Sequence, residues 1–381
     1  MQKNIAAIIL LVGFWACGTT NQSVVATERT TNSERIFAKN IILMIGDGMG
    51  LGQITAGMYA NGNRLHLEKF PVVGLQKTYS YDNLVTDSAA GATAIACGVK
   101  TYNAAIGVDK DTIAVQTILE EAEKKGLKTG LVATSTIVHA TPAAFIAHRP
   151  LRSMYELIAK DFLKVDVDLL IGGGFKYFNT QRTDGRSLLP QFAQRGYTIS
   201  SVANDELEGI DMKEVRKFIY FTANDAPIPT ASGRDYLPIA SKKAAEFLGR
   251  NKKKGFFLMI EGSQIDWGGH ANDLKYITSE LIDFDKAVGR ILDFAKKNKE
   301  TLVIVTADHE TGGTAINPKS RMDSLIGAFT SSYHTATMVP VFAYGPNAEL
   351  FSGIYENTAI HHKMRQALGF DQVEAEAVAP E

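Results

Sequence analysis

Seven apolar runs of strand length recur along the chain and predict the strands of a buried sheet. They cover Asn40–Ile45, Thr129–Thr134, Asp168–Ile171, Lys217–Phe221, Phe256–Ile260, Leu302–Thr306 and Val339–Tyr344. Between several of them, apolar positions at helical spacing predict helices over Val115–Lys125, Met154–Leu163, Leu237–Leu248, Thr278–Lys297 and Ala359–Leu368. Because strands alternate with helices, we predict an α/β fold with a mostly parallel central sheet and helices on both faces.

Polar side chains follow several predicted strands at their carboxyl ends. Asp47, Glu261 and Asp308 each come within two residues of the end of a strand. A fourth strand leads, a few residues on, to His139 and Thr141. In open α/β sheets, binding sites lie outside the carboxyl ends of the strands. The pattern therefore predicts a polar site at one edge of the sheet.

Composition and charge limit the function classes. The 381 residues are 45% hydrophobic and 21% charged, a globular composition without an internal repeat after residue 36. We predict one catalytic domain over 37–372 and a short tail over 373–381. The formal net charge of -1 provides no global field that would recruit nucleic acid or anionic lipid. An anionic substrate would therefore need local positive charge, from metal ions or from a placed arginine.

The N-terminus has the pattern of an export signal. Ile5–Ala16 is apolar, too short to span a bilayer, and directly precedes Cys17. We predict a signal peptide over 1–17 with a lipid on Cys17; a plain secretory signal cleaved nearby is the alternative. Residues 18–36 predict a flexible tether. The protein is thus expected to be exported to the periplasm, with membrane contact only through that lipid. The remaining cysteine, Cys97, is predicted to be a small buried side chain.

The motif IGDGMG places Asp47 among three glycines after a buried strand. Its spacing differs from the dinucleotide-binding GxGxxG, and an acid in that turn would repel pyrophosphate. A metal-binding aspartate fits the motif, and a glycine-rich turn capped by Asp47 also fits it.

The motif VTDSAAGATA places Ser88 in the first turn of a predicted helix of small residues, with Thr86 or Asp87 as its cap. Free N–H groups and the helix dipole at that position favour a phosphate. Ser88 could instead be a second capping residue. The sequence contains neither a GxSxG elbow nor a P-loop GK[ST].

Two further motifs supply candidate metal ligands. EGSQIDWGGH contains Glu261, Asp266 and His270, and TADHETGG contains Asp308 and His309. Mixed nitrogen and oxygen ligands suit zinc, and an all-oxygen set suits magnesium. Without cations, so many acids in a dry cleft would repel one another.

Taken together, these motifs resemble the alkaline phosphatase family. With GVKTYNAAIGVD, ATPAAF and YHTA, they occur in the family's order over about residues 38–345. The resemblance implies an alkaline-phosphatase-like fold and hydrolysis of phosphate monoesters through a phosphoserine, with two zinc ions and one magnesium ion. It also implies small-molecule substrates and a homodimer.

The resemblance assigns roles to individual residues. Ser88 is similar to the family's nucleophile, and Arg152 to its phosphate-binding arginine. The implied ligands are Asp266, His270 and His334 for one zinc, Asp47, Asp308 and His309 for the other, and Asp47, Thr141 and Glu261 for magnesium. His139 and Trp267 stand beside the third site, where some bacterial members have aspartate and lysine. We therefore expect a third site that holds magnesium loosely and also accepts zinc.

The remaining histidines are predicted to have no role in the site. His66, His361 and His362 lie in polar contexts and are expected to be solvated, and His148 follows an apolar run and is expected to be packed.

Three other functions were weighed against the motifs. A sulfatase would need C/S-x-P-x-R, which the residues after Ser88 lack. A cofactor-independent phosphoglycerate mutase would carry a large inserted domain. A surface lipoprotein that binds phosphate without turnover would not need Ser88 beside a full set of ligands.

Overall fold

The computed structural model describes residues 37–250 and 253–371. The predicted signal peptide with Cys17, the tether and the tail over 373–381 lie outside the described residues. Within those residues, no helix is both long enough and apolar enough to cross a membrane.

A ten-stranded sheet forms the centre of the described fold. In chain order the strands are β1 Asn40–Gly46, β2 Val72–Lys77, β3 Lys128–Thr136, β4 Leu169–Gly173, β5 Tyr197–Ser201, β6 Lys217–Phe221, β7 Phe256–Gly262, β8 Thr301–Thr306, β9 Glu310–Thr311, β10 Ala315–Ile316, β11 Gly327–Ala328, β12 His334–Thr335, β13 Val339–Tyr344 and β14 Gly353–Glu356. The order across the large sheet is β14-β2-β13-β8-β1-β7-β3-β4-β6-β5. Its pairs are parallel except those of β13 with β2 and with β8, which confirms a mostly parallel sheet. The short strands form the separate pairs β9–β12 and β10–β11.

Helices cover both faces of this sheet. They are α1 Leu51–Ala60, α2 Ser88–Cys97, α3 Ile118–Lys124, α4 Ala140–Ala143, α5 Tyr155–Asp161, α6 Leu189–Gln194, α7 Tyr236–Leu248, α8 Gln264–His270, α9 Leu274–Asn298 and α10 Thr358–Ala367. Along β1, Ile41 and Leu43 belong to one apolar core with α2, α3 and α10, while Ile42 and Met44 belong to another with α7, α8 and α9. The alternation along one strand thus builds two cores, one on each face.

The seven predicted strands and five predicted helices are all present, with ends shifted by a few residues. The sequence pattern missed β2, β5 and β14, which lie toward the two margins of the sheet. The residues of β2 are only partly buried, and those of β14 are exposed or half-buried. Strands of this kind lack the continuous apolar run that marks a fully buried strand.

Two predictions about histidines need correction. His361 is buried rather than solvated, because α10 packs against α2 and its Nδ1 donates to the Ala96 carbonyl over 2.9 Å. His66 is half-buried beside α9, whereas His362 is exposed as predicted. His148 is half-buried and bonded to the Gly107 carbonyl and Glu120. Cys97 is buried, as predicted.

Candidate active site

Three neighbouring parallel strands bring the first acids together. β1 lies between β7 and β8, and Ile45 is in register with both Glu261 and Thr306. Asp47 and Asp308, which follow β1 and β8, therefore meet Glu261 at the carboxyl edge of the sheet, and none of the three side chains is exposed. The sequence pattern predicted a polar site at this edge, and the order of the strands in the sheet brings these three residues there.

The turn after β1 depends on a glycine. Gly48 has a φ of +69°, and a Cβ on it would lie 2.6 Å from Thr311 Oγ1 and 2.9 Å from Asp266 Cα. Both the left-handed backbone and the close approach exclude a side chain. The Gly48 amide donates to Asp308 Oδ1 over 3.2 Å. The turn thus holds Asp47 and Asp308 side by side.

Asp47, Asp308 and His309 form the first candidate metal group. His309 Nε2 lies 3.4 Å from Asp47 Oδ1 and 3.3 Å from Asp308 Oδ2. Neither oxygen of Asp47 has a hydrogen-bond partner within the described residues, and the same holds for Asp308 Oδ2. Burial and the charge of Asp308 raise the pKa of Asp47, and burial and Asp266 raise the pKa of Asp308 to about 6.

Asp266, His270 and His334, predicted as ligands of one zinc, also come together, and Asp266 and His334 form the second candidate metal group with His309. The helix α8 places Asp266 and His270 one turn apart, and His334 Nε2 lies 3.1 Å from His270 Nε2. Asp266 Oδ1 is 3.4 Å from His270 Nε2 and 3.5 Å from His334 Nε2. Asp266 also lies within 4.8 Å of His309, so that the two groups adjoin.

The histidine tautomers point to metal binding. His270 Nδ1 donates to the Ser332 carbonyl and His334 Nδ1 donates to the Thr86 carbonyl, each over 2.8 Å. In the neutral ring this leaves Nε2 with a lone pair and no proton. Two such nitrogens 3.1 Å apart repel each other unless a cation binds both or one ring takes up a proton. The arrangement is that of metal-binding imidazoles fixed by a hydrogen bond from the other ring nitrogen.

Thr311 orients the third of these imidazoles. Its hydroxyl donates to Asp266 Oδ1 over 2.5 Å and lies 3.2 Å from His309 Nδ1. Because the hydroxyl proton points to Asp266, the Thr311 oxygen accepts from His309 Nδ1. His309 Nε2 is therefore also unprotonated and faces Asp47 and Asp308.

Asp47, His139 and Glu261 form the third group. Thr141 Oγ1 and Glu261 Oε1 are buried without a hydrogen-bond partner among the described residues. Burial raises the pKa of Glu261 to about 8, although hydroxyls that include that of Thr141 oppose the rise. Thr141, predicted from the sequence as a ligand, is thus beside Glu261, and a ring nitrogen of His139 lies within 4.8 Å of carboxylate oxygens of Asp47 and Glu261.

Ser88 is the first residue of α2. Asp87 caps this helix by accepting from the Ala90 amide over 3.0 Å. Ser88 Oγ lies 3.2 Å from His309 Nε2 and is almost fully buried. Since that nitrogen carries no proton, Ser88 donates to it. The α2 helix starts close to the site because Gly91 approaches Asp308: a Cβ on Gly91 would lie 3.0 Å from the Asp308 carbonyl.

Arg152 faces the same region. Its Nη1 donates to Asp87 Oδ2 over 3.0 Å, and its Nη2 donates to His139 Nε2 over 3.2 Å. His139 must be neutral to accept that bond, and burial together with Arg152 lowers its pKa to about 3. The His139 ring lies edge-on to Trp267, with centroids 6.3 Å apart. The structure therefore joins His139, Trp267 and Arg152 beside the third group.

Several residues of the site were missed by sequence reasoning. Asp87 was considered only as a cap, and its pairing with Arg152 joins residues far apart in sequence. Glu310 is buried, accepts from Gln53 Nε2 over 2.7 Å and, with Thr311, adjoins His309. The only available signal was that TADHETGG continues past the histidine into two more polar residues.

The donor set fits divalent cations. Asp47, Glu261, Asp266 and Asp308 are four buried carboxylates whose negative charges face one another, and several of their oxygens lack a partner in the described part of the chain. Buried acids need compensating positive charge. Carboxylate and imidazole ligands suit zinc, and the oxygens of Asp47, Thr141 and Glu261 suit magnesium.

The chain is similar to alkaline phosphatases in both sequence and structure. It is 34% identical to alkaline phosphatase 3 of Bacillus subtilis (strain 168), with 93% of this chain and 94% of that protein aligned. It is 35% identical to the alkaline phosphatase of Escherichia coli (strain K12), with 87% and 86% aligned.

Solved structures give the same result. The alkaline phosphatase of the Antarctic bacterium TAB5 is 44% identical with a TM-score of 0.84, covering 88% of this chain and 99% of that one. A histidine-to-aspartate variant of the TAB5 enzyme, with a TM-score of 0.83 and the same identity and coverage, has Mg bound in its M3 site. The family model for alkaline phosphatase matches residues 38–326 and 315–370. The chain therefore belongs to the alkaline phosphatase family and is a phosphoric monoester hydrolase.

Proposed function

We propose that this phosphatase transfers the phosphoryl group of a monoester to Ser88 and then to water. The observation that carries the proposal is the position of Ser88 Oγ. It lies at the N-terminus of α2 and 3.2 Å from His309 Nε2, and that nitrogen is 3.4 Å from Asp47 Oδ1 and 3.3 Å from Asp308 Oδ2, which both belong to buried carboxylates. A serine hydroxyl becomes a good nucleophile only when its proton is removed or its oxygen is bound by a cation.

We further propose two zinc ions and one magnesium ion. Asp266, His270 and His334 would hold one zinc, Asp47, Asp308 and His309 the second, and Asp47, Thr141 and Glu261 the magnesium. When bound, these cations neutralise charge on the phosphoryl oxygens and lower the pKa of hydroxyls that they bind. The support is the chemistry of the donors: three Nε2 lone pairs and several unpartnered carboxylate oxygens among the described residues.

The protein groups position the phosphoryl group for in-line attack. Arg152 has a rigid fork of donors that can bind two phosphoryl oxygens. Asp87 holds that fork through Nη1. Free N–H groups in the first turn of α2 add positive potential where Ser88 attacks. Attack forms the Ser88 O–P bond and releases the alcohol, and water then cleaves the same bond from the side that the alcohol left. A grip on two non-bridging oxygens favours monoesters over diesters.

At the third site we propose that His139 and Trp267 weaken the preference for magnesium. His139 is neutral and bonded to Arg152, so it adds no negative charge for Mg²⁺. Zinc could bind His139 only if Arg152 released Nε2, and an imidazole nitrogen freed in this way would suit zinc better than magnesium. The TAB5 variant, in which a histidine is replaced by aspartate and Mg is bound in the M3 site, supports this account. Export to the periplasm and a lipid on Cys17 remain predictions from the sequence, and a homodimer remains an expectation from the family resemblance.

Trapping the phosphoenzyme tests the proposal. Wild-type protein mixed with a labelled monoester at mildly acid pH should carry phosphate on Ser88, as shown by mass spectrometry of its peptides. Ser88→Ala should lose that label, and its kcat should fall by at least about a hundredfold, while it keeps its metals. Ser352→Ala, which changes an exposed serine at the end of a surface turn, is the matched control and should behave as wild type. Label on another residue would overturn the assignment.

A further inference from the structure

Tyr333 is the outer ring of a three-ring stack at the mouth of the site. The rings of His309 and His334 stack with centroids 3.6 Å apart and planes 17° apart. Tyr333 stacks on His334 with a centroid distance of 4.3 Å and an angle of 9°. His309 and His334 are buried, but Tyr333 is 49% exposed. An aromatic side chain at the entrance is thus partly open to solvent directly above two residues of the candidate metal groups.

The stack lies beside the groups proposed to handle the phosphoryl group. His334 Nδ1 donates to the carbonyl of Thr86, two residues before Ser88. His309, at the inner end of the stack, has its Nε2 3.2 Å from Ser88 Oγ, so the stack runs from the proposed nucleophile outward to Tyr333. Tyr333 therefore lies at the solvent-facing end of a stack that begins beside Ser88.

The backbone around Tyr333 is held in place. Its amide donates to Ser331 Oγ over 2.9 Å, and its carbonyl accepts from the Gly312 amide over 2.9 Å. The next residue, His334, is paired with Thr311 in the β9–β12 ladder. These backbone bonds and the stacking on His334 together restrict the ring, so it loses little conformational entropy when another ring packs against it.

We propose that Tyr333 contacts the organic group of the substrate and favours phosphate monoesters that carry a flat aromatic ring. The proposal rests on the proposed function only in placing the phosphoryl group between Ser88 and Arg152. An organic group on that phosphoryl oxygen leaves the site past the stack, where the exposed part of Tyr333 offers an aromatic surface. Offset or edge-to-face ring contacts stabilise beyond the apolar area that they bury.

Two phosphonates that cannot be hydrolysed test this contact without the effect of a leaving group. Phenylphosphonate and methylphosphonate share the phosphoryl oxygens and differ in the ring. Their inhibition constants are measured at pH 9 for wild type, Tyr333→Ala and Tyr333→Phe. We expect the methyl-to-phenyl ratio of the constants to fall by about threefold to tenfold in Tyr333→Ala and to be retained in Tyr333→Phe. Ile354→Ala, on the exposed strand β14, is the control and should keep the wild-type ratio.

The ratio separates substrate contact from a merely structural role. If Tyr333 only supported His334, both phosphonates would lose affinity equally and the ratio would stay constant, which would overturn the proposal. A loss in Tyr333→Phe as large as in Tyr333→Ala would also overturn it, because the ring would then not be the cause. A wrong assignment of Ser88 would be recognised separately from a wrong role for Tyr333. Phosphate label would then appear on another residue, whatever the ratio of the two inhibition constants.

Discussion

At the residue scale, Asp87 connects Ser88 and Arg152, the two groups whose relative position matters most in the proposed mechanism. One carboxylate oxygen accepts from the Ala90 amide and caps α2, and the other accepts from Arg152, each over 3.0 Å. Ser88 begins that helix, so a single side chain sets the distance between nucleophile and arginine. Such a fixed arrangement lowers the entropy that must be lost when the phosphoryl group is positioned.

Removal of Arg152 should act on phosphate binding. In Arg152→Ala we expect the inhibition constant of inorganic phosphate to rise by about tenfold to a hundredfold, because charge-assisted hydrogen bonds to the oxygens are lost. The ratio of monoester to diester kcat/KM should fall as well. Arg321→Ala, which removes an exposed arginine paired with Asp323, is the matched control. Phosphate inhibition at the wild-type value in Arg152→Ala would show that Arg152 does not bind the phosphoryl group.

Residue identities in this site were largely predictable from sequence, whereas several of the contacts between them were not. Asp47, Asp266 and Asp308 each stand in a short motif after or near a strand. The ion pair of Asp87 with Arg152 and the stacking of His309 on His334 join parts of the chain that meet only in the folded protein. Local patterns carry no information on such pairings, since the partners are separated by tens of residues.

At the element scale, the short strand pair β9–β12 contains residues of two sequence motifs, TADHETGG and YHTA. Strands of two residues are too short to be stable alone. Glu310 ties them to their surroundings: its carboxylate accepts from the amides of Gly313 and Thr314, each over 3.1 Å, and from the hydroxyl of Thr335. It also accepts from Gln53 on α1. These bonds hold the ladder in which His334 faces Thr311.

Glu310 should therefore act as a positioning residue for His309 and His334. In Glu310→Ala we expect half-maximal activity to need about tenfold or more free zinc, because one buried and three part-buried donors lose their acceptor and the ladder loosens. Activity measured against buffered zinc gives this value. Glu214→Ala, at an exposed surface position, is the control. A lower melting temperature with an unchanged zinc requirement would show that Glu310 is only structural.

How well a helix or strand was predicted from the sequence depended on how clearly its buried positions form a pattern. β1, β7 and β8 are buried along their whole length and read as continuous apolar runs. The helix α9 has a clear apolar face and was predicted, although it begins at Leu274 rather than Thr278. The helix α1, LGQITAGMYA, has small and polar residues on several sides and was missed. Tertiary contacts with α9 and the site, rather than its own pattern, fix that helix.

At the scale of the whole molecule, the fold brings four buried carboxylates together, and the protein groups nearby do not neutralise their charge. Burial is the largest cause that raises the pKa of Glu261 to about 8 and that of Asp308 to about 6. A carboxyl with a raised pKa in the folded state binds more protons folded than unfolded. Without metal, its contribution to stability is therefore present below the usual carboxyl range and is lost as pH rises toward 6 for Asp308 and 8 for Glu261.

Chelation should therefore destabilise the protein more at pH 8 than at pH 5.5. Bound cations stabilise the folded state by mass action, and they bind more tightly as their ligands lose protons. At pH 8 we expect the chelator to lower the melting temperature by roughly 5 °C or more, and added zinc with magnesium to restore it. At pH 5.5 the fall should be smaller, because protonation of the ligands weakens cation binding and relieves repulsion in the metal-free site. Ser88→Ala, which lacks the nucleophile but keeps every proposed ligand, should show the same two shifts. Equal shifts at the two pH values, or none at pH 8, would mean that the buried acids are compensated by something other than metal ions.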